Sequence, residues 1–117
     1  MITDKLIERI KELDNPTVAG IDTSFDYLPD DMKNGVKDFK SASEAVLEFN
    51  KRIIDNICDI VPCVKVQIAY YEMYGLDGMR TFAETVKYAG KKGMLVMTDA
   101  KRNDIGATAE CYAKAYL

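Results

Sequence analysis

The sequence contains no histidine. This absence excludes the Ser-His-Asp and Cys-His mechanisms of nucleophilic catalysis and removes the commonest metal ligand. Cys58, Cys63 and Cys111 are an odd number of cysteines and have no metal-like spacing. We expect them to pack as small apolar residues in a reducing compartment. Any chemistry must therefore be carried by carboxylates and amines.

The chain also lacks a long apolar run and an excess of basic residues. No stretch of about 18 apolar residues suggests a membrane span, and the acidic N-terminus does not resemble a signal peptide. The net charge of −3 offers no basic surface for nucleic acid or for an anionic membrane. We therefore expect a cytoplasmic protein with neither nucleic acid nor membrane as a partner. With 117 residues it is one domain at most.

Hydrophobic periodicity predicts helices alternating with strands. The predicted strands are Thr17–Ile21, Val61–Ile68 and Met94–Thr98. The second and third begin about 30 residues apart, which is the length of a βαβ unit with a right-handed crossover. The pattern therefore predicts an α/β fold with a parallel sheet. The predicted helices start at Thr3, at Ser41 as the first residue of a capping box, at Asp77 and at about Ile105, and residues 70–75 are predicted to be a loop.

The stretch Met94–Thr108 carries the strongest functional signal. An apolar strand runs into Asp99, Lys101 and Asp104, and a glycine and small residues then open a helix. Successive side chains of an extended chain alternate in direction, so Asp99 and Lys101 project the same way. The simplest structural explanation is an ion pair at the strand end, with Asp104 as the N-cap of the next helix. In parallel α/β folds, however, this strand end is where catalytic residues lie.

Two further charged residues belong to the other predicted strands. Asp22 directly follows the first strand, where a loop or capping role is the commoner one. Lys65 stands in the middle of the second strand, where an unpaired buried ammonium would be costly. Either this is an edge strand with Lys65 facing water, or Lys65 points into a polar site. In the second case Asp22 and Asp99 are the expected partners.

The motif Asp-x-Lys-Arg-x-Asp-Ile-Gly-x-Thr resembles the active-site signature of the orotidine 5′-monophosphate decarboxylase family, in the bacterial branch that has arginine after the lysine. The Ala-Gly-Ile-Asp and Val-Lys-Val-Gln-Ile-Ala-Tyr-Tyr-Glu segments resemble its first and second strand ends. Asn103 departs from the usual glycine. The resemblance implies an eight-stranded (β/α)8 TIM barrel, of which residues 1–117 supply the first three to four βα units as the N-terminal part of a single domain. Because the later strands and phosphate-binding loops are missing, we expect an N-terminal fragment.

The resemblance also implies a reaction. Family members convert orotidine 5′-monophosphate to uridine 5′-monophosphate, the last step of de novo pyrimidine nucleotide synthesis, without any cofactor or metal. Lys65, Asp99, Lys101 and Asp104 match the charged tetrad of the family. By this match Lys101 donates a proton to carbon 6 of the pyrimidine, and Asp99 lies beside the departing carboxylate.

Other residues of the motif imply substrate binding and assembly. Asp22 and Lys65 match residues that bind the ribose hydroxyls. Asp104, Ile105 and Thr108 match residues that reach the active site of the other subunit. The resemblance thus implies a homodimer with shared active sites.

Two alternatives remain open at this point. The shorter pattern Asp-x-Lys-x-x-Asp also resembles 3-keto-L-gulonate 6-phosphate decarboxylase and hexulose-phosphate synthase, which use magnesium. Glu72 could be a ligand for that ion, although Lys65 argues against a cation nearby. Alternatively, the chain is a non-catalytic module that associates through exposed strand edges.

Overall fold

The computed structural model describes residues 1–117 and consists of one parallel three-stranded sheet with six α-helices. The strands are β1 Val18–Ile21, β2 Cys63–Gln67 and β3 Leu95–Asp99. The helices are α1 Ile2–Leu13, α2 Asp30–Lys33, α3 Phe39–Ile57, α4 Ala69–Glu72, α5 Gly75–Lys91 and α6 Gly106–Tyr116, and a 3-10 turn spans Phe25–Tyr27. None of these helices combines the length and the apolar character needed to cross a bilayer.

The sheet has the order β1-β2-β3, and both strand pairs are parallel. Lys65 is in register with Gly20 on one side and Met97 on the other. The predicted parallel α/β fold is therefore confirmed. The alternative that the second strand lies at an edge is wrong, because β2 is the central strand.

The two faces of the sheet differ in cover. Ile21, Val64 and Val66 are at most 1% exposed and form the core with α3 and α5. On the opposite face Val18 is 46% exposed and Met97 is 50% exposed. The covered face holds the domain together, whereas the second face is open at the outer strands β1 and β3, although Cys63 and Gln67 of β2 are buried on it.

The short helix α4 lies directly after β2, in the segment where the sequence predicted a loop. It packs closely on the start of α5 at Gly78. A Cβ atom at this glycine would lie 1.8 Å from the carbonyl oxygen of Tyr71, so only glycine permits the contact. This close approach fixes α4, and with it Glu72, against the end of β2.

The beginning of α3 differs from the prediction. The N-cap is Asp38, whose carboxylate accepts a hydrogen bond of 2.8 Å from the Ser41 backbone N–H. Ser41 is thus the N3 residue that ends the capping box instead of its first residue. Ile60 follows Ile53 and Ile57 at helical spacing, and this spacing predicts that it lies on the buried face of the helix. The helix stops at Ile57, however, and Ile60 is 54% exposed.

Candidate active site

The charged residues predicted from the sequence meet at the carboxyl end of the sheet. Asp22 directly follows β1, and Asp99 is the last residue of β3. The backbone of Lys65 lies below the strand ends, in the middle of β2. It is two residues before Gln67, which is the register partner of Asp99. Two residues of strand correspond to about 6.6 Å, a distance that an extended lysine side chain spans. Lys65 therefore reaches up to the strand ends.

Lys65 contacts both aspartates predicted for it. Its Nζ donates a hydrogen bond of 3.2 Å to Asp22 Oδ1 and lies 3.8 Å from Asp99 Oδ2. The Lys65 side chain is 31% exposed. These pairs explain how an ammonium group is accommodated among buried strand residues, since a buried charge needs a partner of opposite sign.

Lys101 continues the same chain of charges. Its Nζ lies 2.6 Å and 2.7 Å from the two Asp99 oxygens and 3.1 Å from Asp104 Oδ2. Positive and negative groups thus alternate from Lys65 through Asp99 and Lys101 to Asp104. The simple ion pair between Asp99 and Lys101 is present, but it is one link of this longer network.

The network shifts two pKa values in opposite directions, and each shift favours the charged form of its group. Hydrogen bonds to Asp99 and Asp104 raise the pKa of the Lys101 ammonium group. The Ile105 backbone N–H and Lys101 together lower the pKa of the Asp104 carboxyl group. Opposite charges favour the ionised form of each partner, so at neutral pH Lys101 is protonated and Asp104 is ionised.

The other motif residues lie beside this network. Ile105, not Asp104, is the N-cap of α6, and its side chain is 85% exposed. Thr108 is half-buried in the first turns of α6. The ion-pair network therefore brings together Asp22 and the tetrad, while Ile105 and Thr108 lie outside it.

A buried polar cluster supports the end of β1, and sequence patterns did not reveal it. Asn50 of α3 is 0% exposed; its Oδ1 accepts a bond of 2.7 Å from the Thr23 hydroxyl. Its Nδ2 donates to the hydroxyls of Tyr71 at 3.0 Å and Thr85 at 3.1 Å. Tyr71 in turn donates to the carbonyl oxygen of Ile21 at 3.0 Å. The cluster thus holds the residues on both sides of Asp22.

A second unpredicted pair joins the motif to α4. Arg102 donates two hydrogen bonds to Oε1 of Glu72, from Nη2 at 2.6 Å and from Nε at 3.2 Å. The position of Arg102 within the motif indicated a functional or structural role, but nothing in the sequence identified its partner. No group of three or more acidic or cysteine side chains is arranged to hold a metal ion.

Comparison with known proteins agrees with this geometry. The chain is 45% identical to the orotidine 5′-phosphate decarboxylases of Clostridium perfringens and Clostridium botulinum over all of its 117 residues. It spans only 39% and 40% of the length of these relatives.

Solved structures give the same result. The chain superimposes with a TM-score of 0.70 on a Toxoplasma gondii protein assigned as an orotidine-monophosphate decarboxylase, at 27% identity, covering 96% of this chain and 35% of that one. The Leishmania donovani OMP decarboxylase gives a TM-score of 0.63 at 27% identity, covering 97% and 38%. The sheet and its helices are thus the N-terminal part of a TIM barrel.

The family model described as "Orotidine 5′-phosphate decarboxylase / HUMPS family" matches residues 13–117. This match includes all three strands and every residue of the ion-pair network. The chain belongs to the orotidine 5′-phosphate decarboxylase / HUMPS family.

Proposed function

We propose that this chain is the N-terminal part, residues 1–117 of a single barrel domain, of an enzyme that decarboxylates orotidine 5′-monophosphate to uridine 5′-monophosphate. The observation that carries the proposal is the alternating network of Lys65, Asp99, Lys101 and Asp104 at the carboxyl ends of the strands. The curated relatives named above support the choice of substrate.

Lys101 is the proposed proton donor. Loss of carbon dioxide leaves a carbanion at carbon 6 of the pyrimidine, with no carbonyl group placed to delocalise the charge. The site must therefore supply a nearby positive charge and a proton. Because Asp99 and Asp104 raise the pKa of Lys101, the proton is present when the carbanion forms. We propose that no metal or organic cofactor takes part.

Asp99 is the proposed neighbour of the substrate carboxylate. Its side chain is 20% exposed and is held between Lys65 and Lys101. A carboxylate fixed in this way faces the departing group with like charge, and repulsion falls as carbon dioxide leaves. Asp22 and Lys65, already paired at 3.2 Å, are the proposed ligands of the ribose hydroxyls.

The proposed assembly is a cytoplasmic homodimer with shared active sites. Asp104, Ile105 and Thr108 would complete the site of the partner subunit. The 85% exposure of Ile105 supports this role, because an exposed isoleucine at the start of α6 is free to contact another chain. The three cysteines, all unpaired, fit a reducing compartment.

The structure gives no support to the magnesium-dependent alternative. Glu72 is the metal ligand considered for that alternative, yet its Oε1 accepts two hydrogen bonds from the Arg102 guanidinium. A divalent cation would have to displace this paired cation. The full-chain similarity to orotidine 5′-phosphate decarboxylases favours the same conclusion.

Lys101→Ala in the whole enzyme tests the proposal. We expect decarboxylation, followed as the loss of orotidine monophosphate absorbance, to become undetectable while the thermal unfolding midpoint stays near that of the wild type. Lys92→Ala is the matched control, because Lys92 pairs with Asp55 at the same 2.6 Å distance but far from the network. Wild-type turnover by Lys101→Ala would refute the assignment of the proton donor.

A further inference from the structure

Arg102 is the one charged residue of the motif that the proposed mechanism leaves without a task. It stands between Lys101 and Asp104 in the chain, so its backbone conformation sets the directions of both. That conformation is left-handed, with φ of 61°. Residues with a Cβ rarely adopt it unless the surroundings impose it.

The Arg102 side chain supplies such a constraint. Besides its two bonds to Glu72 Oε1, it donates from Nη1 to the Ala100 carbonyl oxygen at 3.0 Å. The guanidinium therefore bonds both to the loop itself, at Ala100, and to α4, at Glu72. Because the guanidinium group is planar, these three bonds fix its orientation as well as its position.

Glu72 is an unusual partner for a loop residue. Its side chain is only 7% exposed, and Arg102 is the only cation within 4.0 Å of it. The second oxygen, Oε2, is buried and has no hydrogen-bond partner. A buried carboxylate with one cationic partner binds that partner strongly, because separation would leave the charge uncompensated.

The Glu72–Arg102 pair connects two parts of the candidate site. Glu72 lies on α4, which follows the strand that carries Lys65, and Arg102 lies in the loop that carries Lys101 and Asp104. Holding α4 and the loop together therefore fixes Lys101 relative to the end of β2.

We propose that the Glu72–Arg102 pair is a positioning device that holds residues 100–104 in the conformation in which Lys101 can serve as proton donor. This inference rests on the proposed function. Neither residue needs to touch the substrate. The pair acts through Lys101 and Asp104, so its loss should lower the rate of the chemical step more than it weakens substrate binding.

The test uses three variants of the whole enzyme: Glu72→Gln, Arg102→Asn and the double variant. Asparagine tolerates the left-handed conformation, so Arg102→Asn removes the guanidinium without adding backbone strain. We expect kcat to fall by about 10- to 100-fold in each single variant, the range for a misplaced reacting group. KM should change by less than about threefold, as for an interaction made only in the transition state. The double variant should be no slower than the slower single variant.

Two controls separate positioning from general stability. Asp55→Asn breaks another ion pair of 2.6 Å, with Lys92 at the opposite end of the strands, and should leave kcat unchanged. Arg102→Lys keeps the charge but not the planar fork, and should restore part of the kcat lost in Arg102→Asn. A folded double variant with wild-type kcat, or a loss of kcat in Asp55→Asn equal to that in Arg102→Asn, overturns the proposal.

Amide hydrogen exchange tests the role of the Glu72–Arg102 pair without measuring enzyme activity. We expect exchange of the Ile105 backbone N–H, which is hydrogen-bonded to Asp104 Oδ1 at 2.9 Å, to be at least about 10-fold faster in Arg102→Asn than in the wild type, and unchanged in Asp55→Asn. Unchanged exchange in Arg102→Asn overturns the positioning role even if the wild-type enzyme proves inactive. An inactive wild type with accelerated exchange in Arg102→Asn would instead refute the proposed function and leave the role of the Glu72–Arg102 pair supported.

Discussion

Replacing Thr23 by valine tests how the end of β1 is held. The Thr23 hydroxyl is the only hydrogen-bond donor to Asn50 Oδ1, at 2.7 Å, and Asn50 is completely buried. Valine has nearly the same size as threonine but cannot donate. The substitution therefore leaves a buried carbonyl oxygen without a partner, which costs about 1–3 kcal/mol of stability.

Thr85→Val is the matched control within the same cluster. Thr85 is also buried, and its hydroxyl accepts from Asn50 Nδ2 at 3.1 Å. Here the remaining bond from Nδ2 to the Tyr71 hydroxyl, at 3.0 Å, keeps the amide partly satisfied. We expect a smaller cost of about 0.5–1.5 kcal/mol, the usual net value of one hydrogen bond.

Thermal unfolding of the whole enzyme and steady-state kinetics provide the measurements. Since 117 residues are 39% of a relative's length, the whole enzyme has about 300 residues, and a loss of 1 kcal/mol lowers its unfolding midpoint by about 1.5–2 °C, which still allows the two variants to be ordered. Only Thr23→Val should also raise KM several-fold with kcat little changed, because Thr23 is adjacent to Asp22, the proposed ribose ligand. Equal midpoints and equal KM values in the two variants would refute the view that this cluster positions Asp22.

Two further predictions concern assembly. If Asp104 serves the neighbouring subunit, mixing inactive Lys101→Ala and Asp104→Ala subunits should restore some activity, because one site of a mixed dimer has both residues intact. A mixture that stays inactive after subunit exchange has been verified would contradict this prediction. The isolated 117-residue chain should show no decarboxylase activity and should associate, because Val18 and Met97 are about half-exposed on its open sheet face. A chain that is monomeric by light scattering and that decarboxylates orotidine monophosphate would contradict that prediction.

Local sequence patterns predicted the regular elements well. The strand predicted at Thr17–Ile21 is observed at Val18–Ile21, and the strand predicted at Met94–Thr98 is observed at Leu95–Asp99. Such boundaries follow from side-chain periodicity, which needs only neighbouring residues. The start of α3 was misplaced because two overlapping capping boxes fit the sequence, and the one at Asp38 forms. The short helix α4 was missed because its fit against Gly78, and not local propensity, stabilises it.

The sequence by itself determined which charges stand at the strand ends, because a parallel sheet brings these ends to one edge. It also showed that Lys65 needs either water or a partner, since a lone buried ammonium in mid-strand is costly, but left both alternatives open; the structure has the paired one. Only the tertiary structure decided the partners that lie far apart in the chain: Glu72 with Arg102, 30 residues away, and Thr23 with Asn50, 27 residues away. Such contacts depend on how α3 and α4 dock on the sheet, and docking is the sum of many packing contacts that no local pattern records.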